Sequence, residues 1–176
     1  MENILKICKK YKLKLKIMGT RATISIELEN KSILTVFLSQ DGYPTNNHNI
    51  GCGITLINHY NNFELASKLL SHGNIYSLQE KIDKDPTKPH TVSLEERQKD
   101  VCFFFNRDYK QENVEPIIFF SEKDYKKRNE MQDWNYLFKN GEWFVLLTKY
   151  DTNIQKYKNK FVKVKDFIQN SETFIG

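Results

Sequence analysis

Ala22-Thr23-Ile24-Ser25-Ile26-Glu27-Leu28-Glu29, then Asn30-Lys31-Ser32, then Ile33-Leu34-Thr35-Val36-Phe37-Leu38-Ser39, is the stretch on which the fold turns. Ala22, Ile24, Ile26 and Leu28 alternate with Thr23, Ser25, Glu27 and Glu29, which describes a half-buried antiparallel strand with its polar side outward. Asn30 to Ser32 breaks the alternation, and Ile33 to Ser39 resumes it with β-branched and aromatic residues, so the two runs predict a hairpin. Pairing the two strands brings Arg21, at the start of the first, beside Asp41, at the exit of the second.

Asp41-Gly42-Tyr43-Pro44 carries turn chemistry, because Asp bonds its own backbone, Gly accepts positive φ, and Pro fixes φ while removing a donor. Two readings fit it. One is a plain loop. The other is a polar pocket for a phosphate or nucleobase, built from Arg21, Asp41, Tyr43 and the run Asn46, Asn47, His48 and Asn49, since guanidinium holds phosphate bidentately and Tyr stacks.

Further along, Ile50 to Tyr60 has helical spacing in spite of Gly51 and Gly53. Those glycines permit close backbone approach, either to the sheet or to an anion at the helix N-terminus. Phe63 to Ser71 predicts a second helix, closed by His72-Gly73. Asp83-Lys84-Asp85-Pro86-Thr87-Lys88-Pro89-His90 reads as a flexible excursion, with Ser93 and Glu96 placed to cap a helical turn. Val101 to Phe105 and Ile117 to Phe120 are dense apolar runs that predict strands buried on both faces. Asn106-Arg107-Asp108 follows the first as a polar turn or a second Arg and Asp pairing.

Ser121 and Asp124 form a capping box for a helix that carries Lys123, Lys126, Lys127 and Arg128. Asn140-Gly141, between Trp134 to Phe138 and Trp143 to Leu147, is a strong two-residue hairpin signal. The lysine-rich tail predicts a short helix around Val164 to Ile168. Taken together, the expected fold is α+β, a mainly antiparallel sheet of five to six strands with two to four helices on one face. One domain over 1–176 is expected, with a basic extension at 1–17, a core at 18–148 and the lysine-rich tail at 149–176.

The extension, Met1 to Ile17, predicts a short helix and then a strand. Lys9, Lys10, Lys12, Lys14 and Lys16 cluster there around Tyr11. Such a patch fits a phosphate backbone, or equally an edge strand whose lysines discourage aggregation. The whole chain carries 27 Lys and Arg against 22 Asp and Glu, an excess that permits an anionic partner without requiring one. Cys8, Cys52 and Cys102 are odd in number and far apart, which speaks against a disulfide framework or a thiolate zinc site and for buried free thiols. No apolar run reaches the roughly 20 residues needed to cross a bilayer, so a cytoplasmic setting without membrane contact is expected. No nucleophile elbow, phosphate loop, zinc-protease motif or dinucleotide turn is present, so neither a catalytic residue, a metal nor a cofactor is expected.

Met18-Gly19-Thr20-Arg21-Ala22-Thr23-Ile24, Asp41-Gly42-Tyr43, the Asn106-Arg107-Asp108 strand end, Asn135-Tyr136-Leu137-Phe138 and Gly141-Glu142-Trp143-Phe144-Val145 follow in an order that resembles a family of small phage and prophage proteins. That family commonly starts at Met-[Gly/Ser]-Thr-Arg, which makes Met18 an alternative start, and Gln40 stands where it usually carries an aromatic. The resemblance implies a setting, not a mechanism. The expectation drawn from it is an accessory protein that antagonises bacterial immunity in the host cytoplasm. In its concrete form this is an anti-CRISPR-like inhibitor docking on a defence ribonucleoprotein through the lysines at 9–16 and the basic residues 123–128. The alternative is a binder or lyase of a nucleotide immune signal, with Arg21, Asp41, Tyr43 and Arg107 lining the pocket. A third reading is a structural or regulatory protein that takes its partner on an exposed strand edge.

Overall fold

The computed structural model describes residues 20–45, 50–109, 115–128, 133–151 and 156–172. The expected helix and strand at 1–17, with the lysine cluster, lie outside the described residues, as do Cys8 and Met18. The fold is α+β, built on one mixed sheet of eight strands, with five helices among the described residues.

The hairpin forms as read. Strand β1 (Ala22–Glu27) pairs antiparallel with β2 (Ile33–Leu38), Ala22 opposite Leu38 and Glu27 opposite Ile33. Helices α1 (Cys52–His59) and α2 (Phe63–Ser71) follow. The Asn62 side chain caps α2 by accepting from Leu65 N, and Gly73 closes it at φ 76°. Short strands β3 (Ile75–Ser77) and β4 (Phe103–Phe104) then extend the sheet beyond β2. The strand expected over Val101 to Phe105 is only Phe103–Phe104, and Asn106-Arg107-Asp108, expected as a polar turn or an Arg and Asp pairing, lies in the one-turn helix α3 (Phe105–Tyr109).

Strand β5 (Ile117–Phe119) pairs antiparallel with β2, and α4 (Glu122–Arg128) follows, capped by Ser121 as its sequence predicts. Strands β6 (Trp134–Lys139) and β7 (Glu142–Asp151) turn on Asn140 and Gly141 at φ 51° and 79°. The tail forms the expected helix, α5 (Val164–Glu172), and before it edge strand β8 (Lys156–Lys163), which was not expected. The sheet runs β4-β3-β2-β1-β6-β7-β8, with β5 beside β2. Two pairings are parallel, β1 with β6 and β2 with β3, so the sheet is mixed where a mainly antiparallel one was expected.

The helices do not share one face. Apolar residues of α1, α2 and α5 pack with Ile24, Ile26, Val36 and Val145 in the larger core. On the other side α4 inserts Tyr125 among Ile33, Phe119, Leu137 and Leu146. The hairpin is therefore buried on both faces rather than half-buried. Thr23 and Ser25, read as solvent-facing, and Thr35 opposite Ser25 are at most 1% exposed. Thr35 donates to the Ser25 hydroxyl, Ser25 to the Tyr125 hydroxyl, and Thr23 to Asn135 Oδ1, which lets these polar side chains lie in the interior without loss. The reverse correction applies to 117–120. Only Phe119 is buried, because β5 lies at an edge, and Ile118 and Phe120 face water.

Candidate functional site

The segment at 41–44 is held by close backbone packing. Gly42 N donates to Thr20 O at 2.8 Å and the Tyr136 hydroxyl donates to Gly42 O at 2.8 Å. The backbones of Thr20 and Gly42 thus meet, next to the Arg21 and Asp41 that were expected as neighbours. At the N-terminus of α1, Cys52 N donates to Tyr43 O and Ile54 N to Pro44 O. A Cβ on Gly51 would stand 2.7 Å from Tyr43 O, and one on Gly53 2.8 Å from Pro44 O. The two glycines thus serve close approach of the Asp-Gly-Tyr-Pro loop, which fills the helix end where an anion was one alternative. Arg21 and Asp41 are both exposed, with no ion pair between them among the described residues, and Asp41 adopts a left-handed φ of 56°. Tyr43 is half-buried, and His48 lies outside the described residues.

Arg107 and Asp108 belong to a different construction, a lock on the long strap 78–102. The Arg107 guanidinium grips both Asp108 oxygens at 2.8 Å and donates to Ile82 O at 2.6 Å and Cys102 O at 2.7 Å. The Asp108 carboxylate is fully buried, also accepts from Phe104 N at 2.9 Å, and has Lys84 at 3.5 Å and His90 at 3.7 Å. Burial alone would raise its pKa, but the bonds from Arg107 and Phe104 outweigh burial and hold the carboxyl below its ordinary range. His90 is buried against Phe103; its Nδ1 accepts from Gln98 N, which leaves Nε2–H for Cys102 O. Burial, with Arg107 and Lys84 nearby, keeps His90 below the ordinary His range in spite of Asp108.

Within the strap, the stretch Asp83 to His90 that was expected as a flexible excursion is thus internally bonded. Gln98 Nε2 donates to Asp85 O and Lys88 O, and Glu96 pairs with the Thr91 hydroxyl in place of the Ser93 cap. His90 and Lys84 were missed as members of the lock because their partner lies 18 and 24 positions on, where no local pattern reaches. Cys52 and Cys102 are buried thiols, pushed up by that burial, and Cys102 sits 3.3 Å from the Tyr60 hydroxyl. Among the described residues no three His, Cys, Asp or Glu side chains converge as a metal would need.

The third construction is basic. On α4, Lys123 and Lys127 are exposed, while Lys126 pairs with Glu122 at 2.6 Å and lies over the Phe161 ring. Lys139 reaches the same Glu122 at 2.7 Å and the same ring. Arg128 ends the helix, its side chain outside the described part. The structure adds edge strand β8 to this region. Lys158 and Lys160 are exposed on that strand's other face, away from α4, a basic row the sequence reading left as undifferentiated tail. No helix is long and apolar enough to cross a membrane among the described residues. No family model, curated protein or solved structure matches the chain.

Proposed function

We propose that this protein acts by binding, as an inhibitor that engages a nucleic-acid-handling complex of bacterial antiviral immunity, a CRISPR effector being the concrete case. The observation that carries the reading is the placement of the lysines. Helix α4 packs over Phe161 of β8 with Lys123 and Lys127 exposed, while Lys158 and Lys160 are exposed on the opposite face of that edge strand, so cations flank the β8 edge on both sides. Spread cations of this kind suit the phosphate backbone of a guide or target strand. The phage-like setting rests on the motif order from Met18 to Val145.

The nucleotide-pocket alternative draws less support. Arg107 is committed to Asp108 and two backbone carbonyls, and the end of α1 is filled by the Tyr43-Pro44 carbonyls. The deciding experiment is binding of the purified chain to effector–guide complexes. The Lys123→Glu/Lys160→Glu variant should weaken binding at least tenfold, with loss of the salt dependence, at unchanged melting temperature. Binding indifferent to that variant, or no binding to any effector–guide complex while a nucleotide raises the melting temperature, sinks the proposal.

A further inference from the structure

Within the strap, residues 91–97 form a loop that is closed at its base by His90 and Gln98. Gln98 N donates to His90 Nδ1 at 3.2 Å, and His90 Nε2 lies 3.3 Å from Cys102 O. A backbone N–H has only a proton to give and a carbonyl only a lone pair, so the ring is the neutral Nε2–H tautomer. The Gln98 side chain ties the same base to Asp85, accepting from its N at 2.9 Å and donating to its O at 3.0 Å. Above the base the loop leans on one aromatic ring. The Arg97 guanidinium stands 4.2 Å from the Phe103 centroid, and the His90 ring covers Phe103 from 5.2 Å.

The His90 side chain is 1% exposed, so its surroundings decide what a second proton would meet. Helix α3 faces it with Asp108, 3.7 Å away, and Arg107; the strap faces it with Lys84; β4 faces it with the uncharged Phe103 ring. Asp108 is already engaged. Arg107 donates to both of its oxygens at 2.8 Å, Phe104 N donates to Oδ2 at 2.9 Å, and Lys84 stands 3.5 Å from Oδ1. A proton added at Nδ1 would point at the Gln98 N–H, donor against donor, in a site that already holds two cations.

We infer that the His90–Gln98 contact is a proton-operated latch, in which a proton on Nδ1 breaks the contact and the loop 91–97 lifts from Phe103 while the sheet and helices stay folded. The sign follows from the burial. Opening gives His90 to water, where it takes up a proton below about pH 6.5, whereas the closed loop holds it neutral. The closed form is therefore favoured above that pH and loses ground as pH falls through it. Lifting the loop uncovers Phe103, which is fully buried when the latch is shut, beside the rings of Tyr76 and Tyr109. Acid thus opens an aromatic surface at the β4 end of the sheet.

Amide hydrogen exchange at pH 7.5 and 5.5, corrected for the intrinsic pH dependence of exchange, tests the latch. The opening constant at Gln98 should rise about tenfold between the two, as uptake of one proton requires, with the β1–β2 amides unchanged. His90→Asn should abolish that rise, because its side-chain carbonyl can accept from Gln98 N and does not titrate. Nitrogen-15 spectra of the imidazole in the unaltered chain give a reading independent of that variant, and should show Nδ1 unprotonated at pH 8. An opening constant indifferent to pH, a rise shared by the β1–β2 amides, the same rise in His90→Asn, or a proton on Nδ1 at pH 8 overturns the inference.

Discussion

A methyl group added at Gly42 would lie 2.7 Å from the Ala22 Cβ and 2.9 Å from Thr20 O, so Gly42→Ala must part the loop from the start of β1. Overpacking of this order costs about 1–3 kcal/mol, and denaturant unfolding should read it. Gly141 has the opposite reason for being glycine. Nothing lies within 4 Å of a Cβ there, but its φ is 79°. Gly141→Ala should therefore cost about 1–2 kcal/mol through the backbone alone, and Gly141→Asn should cost less, since Asn tolerates that region better. A Gly42→Asn variant should recover nothing, which separates a steric requirement from a conformational one. At Asp108 the requirement is electrostatic. Asp108→Ala leaves Arg107 and Phe104 N without their buried acceptor and should cost about 3 kcal/mol or more.

Helix α4 is short, and one side chain anchors it. Tyr125 is buried, edge-on to Phe119 and stacked on Phe161, and its hydroxyl ends a chain in which Thr35 donates to Ser25, Ser25 to Tyr125 and Tyr125 to Tyr136 O. Burial pushes its phenol up to about 12 in spite of the hydroxyls around it. Tyr125→Phe should cost about 1 kcal/mol by removing the end of that chain, and Tyr125→Ala about 3–5 kcal/mol by emptying the second core. Equilibrium unfolding of both variants checks the two values. The element itself was legible, because Ser121 and Asp124 specify its start by local hydrogen bonding. Its side of the sheet was not, since the cue is that Thr23, Ser25 and Thr35 accept burial, and hydroxyl residues in a strand read as an outward face. Ile117 to Phe120 failed in the opposite sense, because an apolar run fixes a strand's character and not whether a neighbour lies beside it.

On the acid side the shifted histidines and carboxylates of the described residues act in one direction. His72 and His90 are both held below the ordinary His range, chiefly by burial, so unfolding takes up protons and stability falls as pH drops below about 6.5. Asp108, Asp100 and Asp85, the last lowered to about 2 by its bonds from Thr87, add a second loss as pH falls below the ordinary carboxylate value of about 3.9. Thermal melts from pH 8 to 3 should show two declines, and His72→Gln should reduce the first without moving the second. What the sequence by itself determined is everything held by neighbours along the chain. The β1–β2 hairpin, the caps at Asn62 and Ser121, the Gly73 stop and the Asn140-Gly141 turn all follow from contacts within a few residues. Only the tertiary structure decided the parallel β1–β6 and β2–β3 pairings, the lock of Arg107 and Asp108 on the strap, and the filling of the α1 terminus by Tyr43 and Pro44. Each of these joins residues far apart in the chain, and the closure of long loops that brings them together leaves no periodicity in the sequence to announce it.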